Sequence, residues 1–132
     1  KLSDEQKELL NKYKIDYINR FNISDEDIVS EYRLADIISF PSLFEGFGMP
    51  IIEGQAVGRP VVTSNIEPML SVSGGAAIIV DPYKIESIRS GFLNFAKNDL
   101  QQIVEKGLQN AKRFSSVSVA NEYMKLYQML NR

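Results

Sequence analysis

Residues 41–65 read P-S-L-F-E-G-F-G-M-P-I-I-E-G-Q-A-V-G-R-P-V-V-T-S-N, and this stretch decides the fold. It holds three of the five prolines and four of the eight glycines, so chain-turning residues bracket a short run of helical length. Gly46-Phe47-Gly48 supplies a flexible loop, because glycine enters φ > 0 and lets a ligand approach the backbone. Pro50 suits the first turn of a helix, where its missing N–H leaves no bond unmade. Residues 51–57 continue that helix, and Gly58 is placed to cap its end. Arg59, ahead of Pro60, is pushed to an extended conformation, after which Val61-Val62-Thr63 predicts a short buried strand. Loop, helix and strand follow in order. A helix N-terminus facing a glycine loop is suited to an anion such as phosphate.

Two carboxylates, Glu45 and Glu53, stand within the stretch. Glu53 lies about one turn beyond Pro50, ~4.5 Å along the helix at ~1.5 Å per residue. Helical side chains lean toward the N-terminus, which predicts that Glu53 points back to the loop carrying Glu45. Two acceptors beside a phosphate-binding helix end suit a ligand with hydroxyls next to a diphosphate, such as a nucleotide sugar. Taken singly, the glycine loop has an ordinary explanation as a turn, and the glutamate as a partner of the helix dipole. The joint pattern is harder to explain that way. A dinucleotide fingerprint is excluded: the third glycine of G-x-G-x-x-G falls on Ile51, and no strand directly precedes the loop.

The same stretch resembles the signature of the retaining glycosyltransferases of family 4, also called glycosyl transferases group 1, whose pattern is P-S-x-x-E-G-F-G-x-P-x-x-E-A-x-A-x-G-x-P-V-V. Within it the main departure is Gly54, where alanine is usual. The likeness extends to Tyr32-Arg33-Leu34-Ala35-Asp36, to Gly75-Ala76-Ala77-Ile78-Ile79-Val80-Asp81-Pro82, and to Gly107, Asn110, Arg113-Phe114-Ser115 and Tyr127. Relatives often carry acids at the positions of Ser71 and Gly75, which this chain lacks. The resemblance implies the C-terminal, nucleotide-sugar-binding domain of a two-domain GT-B enzyme, with residues 1–132 as one truncated domain of a longer protein. It implies Glu45 as the catalytic carboxylate, binding hydroxyls of the donor sugar and opposing positive charge at its anomeric carbon. Glu53 is implied to hold the nucleotide ribose, with Gly46, Phe47, Gly48 and Met49 completing the donor site. No metal or other cofactor is implied; helix N–H groups and basic side chains, the latter expected before Lys1, would meet the diphosphate charge. The expected partners are a nucleotide sugar and an N-terminal acceptor domain. Two alternatives stand beside this reading: a non-catalytic sugar-nucleotide-binding subunit, and another GT-B enzyme such as a phosphorylase or sugar-nucleotide epimerase.

Composition sets the outer bounds. The 132 residues are one domain's worth, enough for a hydrophobic core. Apolar residues make up 44% and charged residues 24%, as in ordinary globular proteins. A net charge of −2 gives no electrostatic case for nucleic acid. No apolar run approaches the ~18 residues of a membrane span. Cysteine and histidine are both absent, which removes disulfides, thiolate and imidazole metal sites, and Ser-His or Cys-His catalysis from this chain. The expected location is cytoplasmic, with the intact enzyme free to sit at a membrane surface.

Outside the central stretch, Ser3-Asp4-Glu5-Gln6 is a capping box that predicts a helix over 4–14. Residues 15–21 alternate apolar and polar and predict a strand, with Ile15, Tyr17 and Phe21 in the core. Ser24-Asp25-Glu26-Asp27 opens a second helix. The D-x-D spacing of Asp25 and Asp27 is read as dipole-favoured acids of a first turn, and no metal is assigned there. Residues 36–40 predict a strand delivering the Glu45 loop from its carboxyl end, where open α/β sheets bind ligands. Phe44 is expected to pack, and Phe47 to offer its backbone N–H. Residues 66–69 predict a turn or short helix, and 76–80 a buried strand. Three amphipathic helices complete an α/β, Rossmann-like parallel sheet flanked by helices. Their inward faces are Ile85, Ile88, Phe92, Phe95 and Ala96; Leu100, Ile103, Val104, Leu108 and Ala111; and Ala120, Tyr123, Met124 and Tyr127. Lys106, Lys112 and Arg113 are read as a solvated face. In the family's usual order, strands from before Lys1 would separate 15–21 from 36–40. These two segments are therefore expected to pair directly or to leave an open edge for a homodimer.

Overall fold

The computed structural model describes residues 2–95 and 100–130. In chain order the elements are α1 (Asp4–Lys12), α2 (Asp25–Leu34), β1 (Ile38–Phe40), α3 (Met49–Ala56), β2 (Val61–Ser64), α4 (Met69–Ser73), β3 (Ile78–Val80), α5 (Ile85–Phe95), α6 (Gln101–Lys112) and α7 (Ser116–Leu130). The strands form one parallel sheet in the order β1-β2-β3, with Ile38 opposite Val61 and Val62 opposite Ile78. Helix α3 connects β1 to β2, and α4 connects β2 to β3. This is the expected α/β architecture of short parallel strands joined by helices. No helix among the described residues is long and apolar enough to cross a membrane.

Local chemistry sets most boundaries. Ser3 accepts from the Gln6 N–H at 3.2 Å while Gln6 Oε1 accepts from the Ser3 N–H at 2.9 Å. Ser24 and Asp27 form the second such box, so Asp27 is engaged in a cap. Helix α3 ends as its sequence requires. Gly58 takes φ +73°, its N–H reaches Gln55 O, and the Arg59 N–H reaches Gly54 O at 2.9 Å. That pair of bonds is a Schellman ending. The peptide Glu67–Pro68 is cis, and Glu67 Oε2 accepts from the Ser71 N–H in α4.

The core lies where α3 and α4 cover the sheet. Ile51, Ile52, Val61, Met69 and Val72 are buried together, with Ile38, Phe40, Ile66, Ala77, Ala111 and Phe114 packed around them. Full burial of each such aliphatic side chain is worth about 1.5–3 kcal/mol. Gly54 sets how closely α3 rests on the sheet: a Cβ there would lie 2.8 Å from Ile38 Cγ1 and 3.0 Å from Val61 Cγ2. The departure from alanine at this position thus matches an isoleucine directly opposite it.

Several expectations fail. Residues 15–21 form no strand. Among the described residues the neighbour of β1 is β2 alone, so its other edge is not taken up by 15–21. Direct pairing with β1 does not occur either. The segment is tied instead by the ion pair of Arg20 with Glu31 at 2.9 Å and by the Ile15 N–H on Leu10 O. Ile15, Tyr17 and Phe21 are exposed, not core. The α7 face of Ala120, Tyr123, Met124 and Tyr127 does not turn inward, since α7 contains no buried residue. Of the expected inner face of α5, Ile85 is exposed and Ala96 lies outside the described residues.

Candidate functional site

The carboxyl end of β1 delivers residues 41–47, and buried hydroxyls of β2 anchor their start. Thr63 Oγ1 donates to Phe40 O at 3.0 Å, and Ser64 Oγ donates to Ser42 O. Both residues are fully buried, so each needs a bond of this kind. Ser42 in turn donates through its hydroxyl to Glu45 Oε1 at 2.8 Å. The half-buried Glu45 carboxylate is thereby tied, through one serine, to the end of the central strand. The strand reading of 61–63 missed this anchoring; the signal was the pair of hydroxyls in Thr63-Ser64.

Gly48 opens α3 in the left-handed region at φ +102°, where only glycine is relaxed. No side chain caps this end. A Cβ on Gly48 would also lie 3.1 Å from Ile51 Cδ1. Gly46 is different, with nothing within 4 Å of a Cβ built there. Met49 is half exposed at the start of the helix, and Phe44 is 86% exposed, so the expectation that Phe44 packs is overturned. The Phe47 ring meets Phe114 edge to face, centroids 5.7 Å apart and planes at 80°. Phe47 therefore docks the glycine loop onto the segment between α6 and α7.

Glu53, in the second turn of α3, accepts from the Tyr32 hydroxyl at 2.7 Å. Burial, then the hydrogen bond and the negative charge of Glu53, raise the Tyr32 phenol above the ordinary tyrosine range. The phenol is thus held as a donor at neutral pH. Asp25, Ile28, Val29, Tyr32, Glu53, Ala56 and Val57 line a cavity of about 350 Å³ between α2 and α3. The two carboxylates have separate supports: Glu45 bonds back into its own loop, and Glu53 bonds across to α2.

Behind the site runs a buried amide network that the sequence reading did not find. Gln55 Nε2 donates to Ser73 O and Ala76 O, both at 3.0 Å. Asn110 Nδ2 donates to Gln55 Oε1 at 2.7 Å and to Val72 O at 2.8 Å. Arg113 donates to Asn110 Oδ1 at 2.7 Å, and its guanidinium lies 5.2 Å from the Phe114 ring centre. Arg113 is exposed, in keeping with the solvated face expected for it, and is also anchored by this bond. Gly74, at φ +59°, leaves the room that Asn110 fills; a Cβ there would sit 2.0 Å from Asn110 Oδ1. Every polar atom of the two amides has a partner, the condition under which a buried network fixes one arrangement. The joint presence of Asn110 and Arg113 among the residues of the likeness was the available signal.

Residues 1–114 match the family model described as glycosyl transferases group 1. The chain belongs to the glycosyl transferases group 1 family, whose members have the GT-B fold. O-antigen chain mannosyltransferase B of Escherichia coli is 33% identical over 110 residues, covering 82% of this chain and 29% of that protein. D-inositol 3-phosphate glycosyltransferase of Corynebacterium urealyticum is 31% identical over 109 residues, covering 80% and 26% respectively. The chain thus spans under a third of the length of these relatives. A solved glycosyltransferase from Rickettsia africae superposes with a TM-score of 0.77 at 24% identity, over 98% of this chain and 36% of that one. Sucrose-phosphate synthase from Thermosynechococcus elongatus does so with a TM-score of 0.78 at 20% identity, over 94% and 33%. At these identities the two structures speak for the fold alone.

Proposed function

We propose that this chain is the C-terminal donor-binding domain of a two-domain, retaining glycosyltransferase that moves a sugar from a nucleoside diphosphate to an acceptor. The observation that carries this reading is the arrangement about α3. Two partly exposed carboxylates, each held by a single hydroxyl, flank in sequence a helix N-terminus that no side chain caps. In this reading Glu53 holds the ribose hydroxyls. Glu45 binds hydroxyls of the departing sugar and opposes the positive charge that grows at its anomeric carbon. Backbone groups of Gly46, Phe47, Gly48 and Met49 bind the remaining sugar or phosphate oxygens. The acceptor site and the basic side chains for the diphosphate belong to other parts of the intact enzyme. The domain by itself would then transfer no sugar.

The test is a thermal-shift screen of the intact enzyme against UDP-, GDP- and ADP-sugars, with mannose donors first because some relatives are named as mannosyltransferases. A donor at about 100 times its Kd stabilises the native state by about 2.7 kcal/mol, so one nucleotide series should raise Tm clearly above the others. No shift with any series would overturn donor binding. Kinetics then separate the two carboxylates. Glu53→Gln removes a contact made in ground and transition states alike, so donor KM rises with a smaller loss of kcat; the cost is about 1.5–3 kcal/mol. Glu45→Gln lowers kcat and kcat/KM together with little change in KM. Equal effects of the two substitutions on KM and kcat would show the assigned division of labour to be wrong.

A further inference from the structure

The Tyr32–Glu53 pair has a feature that the roles above leave unused. Glu53 has three side-chain torsions and stands on the face of α3 toward α2, so it would sample several rotamers if nothing held it. Its Oε2 is fixed by a hydroxyl 2.7 Å away that comes from a different helix. Tyr32 itself is partly buried and lines the same cavity as Glu53, with Ile28, Val29 and Val57 forming its apolar wall. A phenol has one proton to donate, and this one is directed to Glu53. One carboxylate oxygen is thereby engaged, while Oε1 is left to accept from a ligand. Holding the carboxylate in one orientation before binding removes ordering entropy that a ligand would otherwise have to offset.

We infer that Tyr32 is a positioning residue: its hydroxyl orients the Glu53 carboxylate so that the free oxygen receives a ribose hydroxyl of the donor nucleotide. This inference rests on the proposed ribose role of Glu53 and adds to it a residue outside the central signature stretch. The raised phenol pKa supports it, because the proton is retained across the pH range in which a transferase works. The hydroxyl acts through Glu53, so its loss should be felt only by ligands that use Glu53.

The experiment measures Kd by calorimetry on the intact enzyme for UDP, GDP and ADP, each against its 2′,3′-dideoxy counterpart. The base that binds is then carried through the variants. The parent should prefer the ribonucleotide by about tenfold or more, the scale of a charge-assisted hydrogen bond. Tyr32→Phe keeps the ring in the cavity and should weaken the ribonucleotide by about three- to tenfold, the scale of one neutral hydrogen bond, while leaving the dideoxynucleotide unchanged. Glu53→Gln should abolish the preference, and adding Tyr32→Phe to it should change nothing further. Equal weakening of both nucleotides by Tyr32→Phe would assign the tyrosine a merely structural role and overturn the inference. Unchanged or tighter ribonucleotide binding would overturn it too, the latter by showing that the hydroxyl competes with the ligand. A preference that survives Glu53→Gln would instead overturn the ribose role on which the inference stands.

Discussion

The centre of the chain and its two ends carry comparable apolar side chains and put them to different use. In α3 and β2, Ile51, Val61 and Val62 retain no accessible surface. In α7, Val117, Tyr123, Met124, Leu126, Tyr127, Met129 and Leu130 are all substantially exposed, and α1 also contains no buried residue. The residue types do not explain the contrast. The partners do: β2 has a strand on each side and helix α3 against it, whereas 15–21 joins no ladder and α7 covers none of the core. Burial is a property of a pair of surfaces, so an apolar side chain is inside only where a second surface meets it. The candidate site sits on the well-partnered side of this divide, which is why its loop and carboxylates can be held at defined distances.

The contrast can be broken at its strongest point by Asn110→Ala. This substitution leaves Gln55 Oε1 and Val72 O buried without their donor. At about 1–3 kcal/mol for each of the two unmet groups, urea unfolding of the protein should show a loss of about 2–6 kcal/mol. A loss below about 1 kcal/mol would mean that water replaces the amide and that the centre is less tightly specified than argued. Gly54→Ala should have a smaller effect. Alanine gains about 1 kcal/mol of helix propensity, but the new Cβ meets Ile38 and Val61, and overpacking costs about 1–3 kcal/mol. The expected net loss is about 1 kcal/mol. Combining it with Ile38→Ala should cost less than the sum of the two single changes, and strict additivity would place the pressure elsewhere. The smallest change is expected at the end of α7. Met129→Gln there should alter stability by no more than about 0.5 kcal/mol, as for other surface sites. A loss beyond 1 kcal/mol would erase the distinction between centre and ends.

Much of this was legible in the residues, and for local reasons. The Ser3 and Ser24 caps, the glycine start of α3 at Gly48, its ending at Gly58, and the strand after Pro60 all depend on a few adjacent residues. A reading of neighbours therefore finds them. So did the placing of Glu45 in a loop at the carboxyl end of β1. The failures share the opposite character. The alternation of 15–21 is a sound strand pattern, yet a strand requires a partner backbone, and no property of those residues supplies one. The apolar stripe of α7 is a sound inward face, but no surface receives it. Phe44 fails to pack for the same reason, and the bond from the exposed Arg113 to Asn110 was not legible from its neighbours either.

The sequence by itself determined the α/β order of elements from α2 onward, the glycine-led helix α3, and the two carboxylates in family spacing, because turn, cap and period are written in short stretches. Only the tertiary structure decided that Ser42 holds Glu45, that Tyr32 holds Glu53 from a separate helix, and that Gln55 and Asn110 join α3, α4 and α6. Those bonds cross 3, 21 and 55 residues of chain. The first lies in a loop with no repeating geometry, and the other two bridge elements whose approach is set by packing. Side-chain hydrogen bonds of this kind form when folding brings donor and acceptor within about 3 Å with suitable angles, a condition on positions in space that residue order alone does not contain.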